Sequence, residues 1–203
     1  MFCLISRSWN ELRRDFWNTF ADWQDRRTIW IVGGLAALFL DIFAWVFFQE
    51  YLQLSACEMC VYIRFSMLVI FLGAMFTAIR PNHILFKTVG YIVVIWAIAR
   101  GSLWSIRLEK MYQRAEAIRN GADFFSFGGL GHCSLEPTFP FGIPLHQWLP
   151  KIFSPSGICG EENWRLLGLN MAEWMLVIYA CFSILLACML IGWFVRGIRC
   201  NKK

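Results

Sequence analysis

Charge is scarce in this sequence. Asp, Glu, Lys and Arg make up 16% of the 203 residues, against 58% hydrophobic and 17% aromatic. A soluble domain of this length cannot bury that much apolar surface, so a water-soluble globular enzyme is excluded and the class is an integral membrane protein. The basic excess is small, a formal net charge of +5. Nucleic-acid binding is a poor explanation of it, and where Lys and Arg fall carries more information than their sum. A cleavable signal peptide is also missing: residues 1–28 are rich in charge and the first apolar run exceeds a signal h-region, so the first span is expected to stay as an anchor. Proline is nearly confined to one place. Five of the six lie between Cys133 and Cys159, which argues against a regular helix or sheet there. Nucleophilic-hydrolase and phosphate-loop motifs are absent.

What is present is four apolar runs, at about 30–48, 61–79, 84–106 and 171–195, each long enough at about 1.5 Å per residue to cross the hydrocarbon core. The expected fold is an all-α membrane protein, a four-transmembrane-helix bundle spanning 29–195. A cytoplasmic segment 1–28 precedes it and a tail 196–203 follows. Five basic residues stand before the first span, Arg80 and Lys87 between the second and third, and four after the last, while 49–60 holds none. The positive-inside rule therefore puts both termini and the 80–87 turn in the cytoplasm. The 49–60 and 107–170 loops then face the oxidising side, the periplasm in a bacterium. Residues 1–28 fit a surface helix lying on the membrane or a plain topology-setting lead-in. Within the long loop, Leu108, Met111, Ala115 and Ile118 recur at helical spacing, and Asn120-Gly121 reads as a stop. Pro144 to Leu149 suits a segment flat in the interface with Trp148 as anchor.

Cysteine occurs at 3, 57, 60, 133, 159, 181, 188 and 200. Cys3 and Cys200 fall in the cytosolic ends and Cys181 and Cys188 within the fourth span, where a thiol behaves as a small apolar residue. Cys57, Cys60, Cys133 and Cys159 share the outer side. Cys57-Glu58-Met59-Cys60 opens the second span, where free backbone N–H groups and the positive end of the helix dipole suit a negatively charged sulfur. Arg64, one helical turn on, adds a cation. An arginine at membrane depth costs up to roughly 2.5 to 3.5 kcal/mol at a helix centre, so its alternative reading is an interfacial, snorkelling anchor. Asp41 and Arg100 are also ionisable at membrane depth and are expected to pair and stabilise the bundle. Cys133 and Cys159 can form a structural staple. Two dithiols on one side suggest instead thiol–disulfide exchange in relay. A zinc site of the four cysteines, with His132 or His146, is the metal alternative, but the compartment favours oxidation and no metal is expected.

These residues resemble the DsbB family of bacterial inner-membrane disulfide-generating proteins, and more closely its DsbI branch. The likeness covers about Trp30 to Val195. It rests on Leu40-Asp41-Ile42-Phe43-Ala44-Trp45, on Cys57 to Arg64, on Ala99-Arg100-Gly101, and above all on Pro144 to Trp174. In that last run Pro144-Leu145, Trp148, Pro150, Phe153, Ser156-Gly157, Cys159, Trp164, Leu167-Gly168-Leu169, Met171 and Trp174 look like the family's second-loop pattern.

The resemblance implies a quinone-dependent protein-disulfide oxidoreductase that reoxidises a periplasmic thioredoxin-fold oxidant of the DsbA or DsbL type. The electrons would go to a membrane quinone, ubiquinone or menaquinone. It also implies that the partner's thiolate attacks Cys133 and frees Cys159, that Cys159 attacks Cys57, and that Cys60 then faces the quinone ring, with Arg64 supporting quinone and sulfur. The family's second-loop histidine near the quinone has no counterpart, since Leu108 falls there. The charged N-terminus and the enlarged 107–132 segment are like the DsbI branch, which implies a dedicated DsbL-type partner and a narrow set of clients such as a sulfotransferase. A thiol-handling membrane scaffold or chaperone without quinone reduction is the alternative. An outward reductant channel would need a cytosolic dithiol, and Cys3 and Cys200 form no motif.

Overall fold

The computed structural model describes residues 16–121, 137–157 and 164–200. Helix α1 is Phe16–Gln24 and α2 is Arg27–Ala44, which continues through Trp45–Tyr51 as a π-helical stretch. Next come α3, Glu58–Ile79, and α4, Ile84–Arg119. A 3₁₀ turn at Pro140–Gly142 leads to two single-turn helices, α5 at Leu145–Trp148 and α6 at Pro150–Phe153. A two-stranded antiparallel hairpin, β1 Arg165–Leu166 and β2 Leu169–Asn170, precedes α7, Met171–Cys200. Four helices, α2 with its π-helical extension, α3, α4 and α7, are long and apolar enough to cross a membrane. The protein is an all-α membrane bundle.

Helix α3 is central, packed on α2 and α4, while α4 packs in turn on α7 and α1 leans on α7. Burial follows that order. Val61, Ser66 and Thr77 of α3 are wholly buried, whereas α2 exposes Phe39 and α7 exposes Ile184 and Phe194, apolar side chains suited to lipid. The α3, α4 and α7 crossing is tight because Gly101 has no side chain: a Cβ there would overlap the Tyr179 ring and the Ser66 hydroxyl. Those two hydroxyls are hydrogen-bonded to each other, and Ser66 also donates to the Ile63 carbonyl at 2.7 Å.

Two boundaries differ from the sequence-based expectation. The second long helix begins at Glu58 with Cys57 as its N-cap, so Cys60 lies inside the first turn. The third run and the amphipathic 107–119 stretch form one helix of 36 residues, about 54 Å long, well beyond a hydrocarbon core of about 30 Å. The extra turns stand clear of the span and tie down the hairpin: Asn170 Nδ2 donates to Glu109 Oε2 at 2.5 Å, and Arg165 pairs with Glu116 at 3.9 Å. The helix ends at Asn120, and Gly121 follows with φ +96°, a conformation that favours glycine. Asn170 and Glu173 form a reciprocal capping box at the start of α7, with Glu173 N–H donating to Asn170 Oδ1 at 2.9 Å and Asn170 N–H donating to Glu173 Oε2 at 2.8 Å.

Candidate functional site

The start of α3 brings the first cysteine pair together. Cys57 and Cys60 are both buried, with their sulfurs 3.2 Å apart in a thiol–thiol hydrogen bond, the geometry of a reduced pair. With Cys57 as donor, that bond and its burial push the Cys57 thiol well above the ordinary thiol range. Cys133 and Cys159 lie outside the described residues, as do Cys3 and His132. Cys181 and Cys188 are free thiols in α7.

The end of the second loop's cysteine-flanked, proline-rich stretch lies against this helix start. Ser156 and Gly157 both donate backbone hydrogen bonds to the Ala56 carbonyl, at 2.9 and 3.0 Å, and a Cβ on Gly157 would press into Ser55 at 2.8 Å. Earlier in the same loop, Thr138 N–H donates to the Tyr62 hydroxyl at 2.9 Å, which itself donates to Glu58 Oε1 at 2.8 Å. Phe139 then packs its ring against Tyr62, Phe65 and Phe153. Both ends of the described 137–157 segment are thus seated on the N-terminal end of α3, which carries the CxxC motif.

Arg64 is 3% exposed, so it is a buried cation and not a snorkelling anchor. Its Nη1 donates to Gln49 Oε1 at 2.7 Å and to the Ile152 carbonyl at 3.3 Å, while its Nε is buried with no protein partner. Gln49 reaches Arg64 from the π-helical stretch. Such widened turns recur at functional sites because they re-aim side chains. The same stretch turns Phe48 edge-on to Trp164, with ring centroids 4.9 Å apart.

Asp41 and Arg100 do not form the pair expected of them. Arg100 is exposed and sits over the Trp104 ring, 5.5 Å from its centroid. Asp41 faces the same interior space as Arg64, and its Oδ1 is buried without a hydrogen-bond partner. The rotational phase of each helix, which hydrophobic runs do not encode, decides this pairing.

Between α2, α3 and α7, beneath the hairpin, lies a cavity of about 200 Å³. Its walls are almost wholly apolar, with Phe48, Trp164, Trp174 and Met175 among them, and its polar lining is Cys60, Arg64 and Asp41. Sites for small planar organic molecules have this character, apolar walls with a few convergent polar groups. A quinone ring offers two carbonyl acceptors on an apolar body. The unpartnered Arg64 Nε–H is a donor for one of them, so the residues present fit that group. Sequence reasoning singled out Cys60 and Arg64 and named Trp164 only as part of the second-loop pattern, but missed Gln49 and the Ile152 carbonyl.

The sequence profile of the family described as disulfide bond formation protein DsbB matches residues 26–189. A relative from Shewanella oneidensis that carries the name DsbI is 40% identical over 193 residues, covering 91% of each chain. Protein-disulfide oxidoreductase DsbI of Escherichia coli O1:K1 / APEC is 32% identical over 224 residues, covering 96% of this chain and 99% of its own. The protein of that name from Salmonella typhimurium is 39% identical over 158 residues, covering 78% of this chain and 68% of its own.

Proposed function

Since the chain belongs to the disulfide bond formation protein DsbB family and is a multi-pass membrane protein-disulfide oxidoreductase, we propose that it passes electrons from a periplasmic thioredoxin-fold partner to a membrane quinone. The observation that carries this reading is the convergence of Cys60 and Arg64, a buried cation whose Nε has no partner among the described residues, on one apolar cavity among the spanning helices. A bound quinone supplies a two-electron, two-proton acceptor in contact with the walls.

The chain's own residues divide the work. The partner's thiolate attacks Cys133, forming a mixed disulfide and releasing Cys159. Cys159 then attacks Cys57 of the Cys57–Cys60 disulfide, and Cys60 is released at the cavity. The partner's second thiol displaces Cys133, and Cys133 attacks Cys159, which restores the Cys133–Cys159 disulfide and leaves Cys57 and Cys60 as a dithiol. The backbone bonds from Ser156 and Gly157 to Ala56 support this order, because they hold the chain two residues before Cys159 beside the residue that precedes Cys57. Arg64, fixed by Gln49 and Ile152, keeps a positive charge and a free N–H at the cavity wall. Unfavourable exchange between dithiols is offset when the final acceptor is more oxidising, about 30 mV corresponding to roughly 1.4 kcal/mol for a two-electron couple.

Both termini are assigned to the cytoplasm of a bacterial inner-membrane protein, and the likeness to proteins named DsbI favours a dedicated DsbL-type partner with few clients, such as a sulfotransferase. The test is quinone-dependent reoxidation of a reduced DsbA-type protein by the purified chain. Cys57→Ala and Cys60→Ala are each expected to abolish it. Equal reoxidation by the wild type without any quinone would overturn the reading. A Cys159→Ala chain is expected to retain a thioredoxin-fold protein at Cys133, and failure to trap one would remove the partner assignment.

A further inference from the structure

Quinone reduction needs protons as well as electrons, and among the described residues one carboxyl group, that of Asp41, lines the cavity. We propose that Asp41 is a catalytic residue of this site, holding one of the two protons between its release at the Cys57–Cys60 dithiol and its uptake at the oxygen of a bound quinone. The inference rests on the proposed function and deepens it.

Three features of the structure support it. Asp41 Oδ1 is buried and has no hydrogen-bond partner among the described residues, although α2 packs closely on α3 in a molecule where most buried polar atoms have partners. The residue shares its cavity with Cys60, where electrons arrive, and with Arg64. Charged and titratable groups around it are few: Cys60 and Arg64 on α3, and Tyr179 on α7, which lies within electrostatic range. Among the described residues, the hairpin and the residue before it bring Trp164 and Leu166 to the cavity.

The chemistry then selects a carboxyl group. A quinone can only accept hydrogen bonds at its oxygens, whereas the corresponding quinol donates them. Arg64 has donors only and suits the oxidised form alone. A carboxylic acid donates when protonated and accepts when ionised, so Asp41 matches both forms by changing its own proton. The balance closes without another reactant. Forming the Cys57–Cys60 disulfide breaks two S–H bonds and releases two electrons and two protons, and the acceptor takes up both pairs to give the quinol. Asp41 gives one proton to a ring oxygen and regains one from the dithiol, ending each cycle unchanged.

The test uses the full chain in lipid nanodiscs with a short-chain ubiquinone as acceptor and a reduced DsbA-type protein as donor. In Asp41→Asn, which keeps the shape and a hydrogen-bond donor but cannot pass a proton, turnover is expected to fall about 10²-fold, the usual scale of a general acid. Asp41→Glu should restore most of it. Affinity for the quinone, read from quenching of tryptophan fluorescence, should stay within about threefold of the wild type, since an amide still donates one hydrogen bond. Independently of turnover, infrared difference spectra of the wild type should show a carboxyl C=O band that changes on reduction of the dithiol and is missing in Asp41→Asn. Wild-type turnover in Asp41→Asn, a loss explained wholly by weaker binding, or an infrared spectrum without a carboxyl change would each overturn the inference. Failure of the wild type to reduce quinone would overturn the proposed function and this role together.

Discussion

The two ends of the bundle bury polar groups in opposite ways. At the end opposite Cys57, Lys87 is buried yet pairs with Asp25 at 2.5 Å, and its ammonium lies 5.9 Å from the centre of the Trp193 ring. Beside it Gln24 accepts from the Tyr91 hydroxyl at 3.0 Å through its side chain and from Trp30 Nε1 at 2.9 Å through its backbone carbonyl. Apart from Gln24 Nε2, every polar atom in that cluster has a neighbour to satisfy it. At the Cys57 end, Arg64 and Asp41 line a cavity, and Arg64 Nε and Asp41 Oδ1 are buried with no hydrogen-bond partner among the described residues. Satisfied buried groups join α1, α2, α4 and α7 into one structure. Unsatisfied ones cost stability and are retained where a ligand completes them.

If that contrast is correct, substitutions at the two ends fail in different currencies. The largest effect is expected for Arg64→Met: removal of a hydrogen bond from a charged donor, worth about 1.5–3 kcal/mol, should raise the KM for quinone by about 10- to 100-fold. Its melting temperature in detergent should hold or rise, because the desolvation cost of a buried cation is gone. A large fall in melting temperature with an unchanged KM would make Arg64 a structural residue and erase the contrast. Lys87→Met should behave in the reverse manner. Breaking a fully buried pair costs about 3–5 kcal/mol, and since the Asp25 side chain is 37% exposed the expected loss is nearer 2 kcal/mol. That corresponds to a fall of about 4–8 °C with the KM for quinone intact.

The contrast also explains what could be read in the sequence. Four spanning helices followed from run length and the scarcity of charge, both one-dimensional properties. The CxxC pair and Arg64 were legible because four-residue spacing within one helix fixes a shared face. Pairing across helices was not: Asp41 was matched with Arg100, whereas the helix phases turn Asp41 to the cavity and Arg100 over Trp104. The break expected after residue 106 had a related cause. A change from apolar to charged residues marks the edge of the membrane, and no proline or glycine between Leu108 and Arg119 ends the helix there. Cys133 and Cys159 fall outside the described residues, so their place in the relay remains a matter of chemistry and spacing.

A smaller effect is expected where the loop is seated on α3. Tyr62→Phe leaves the Thr138 N–H without its acceptor and Glu58 without one donor, a cost of about 1–2 kcal/mol. It should appear as faster proteolysis between 137 and 157, with the quinone KM unmoved. Unchanged cleavage would show that the aromatic packing of Phe139 alone seats the loop.

The finest test concerns the thiol pair itself, two polar groups beside the cavity that satisfy each other. In the reduced protein the two thiols are hydrogen-bonded, and with Cys57 as donor that bond and burial hold it protonated well above the ordinary thiol range. Only the thiolate reacts with iodoacetamide, so a raised value means slow labelling at neutral pH that quickens only as the solution becomes strongly alkaline. Cys60→Ala removes the acceptor and moves Cys57 back toward an ordinary value near about 8.5, leaving burial as the remaining upward influence. Its labelling rate at pH 8 should therefore rise, by about tenfold for each unit the value falls. Cys60→Ser retains an oxygen acceptor at the same position and should leave Cys57 nearly as slow as in the wild type. Equal rates in the Ala and Ser variants would mean that burial alone protects Cys57. The dithiol would then be as unsatisfied as Arg64 and Asp41, and the contrast between the two ends would extend to every polar group around the cavity.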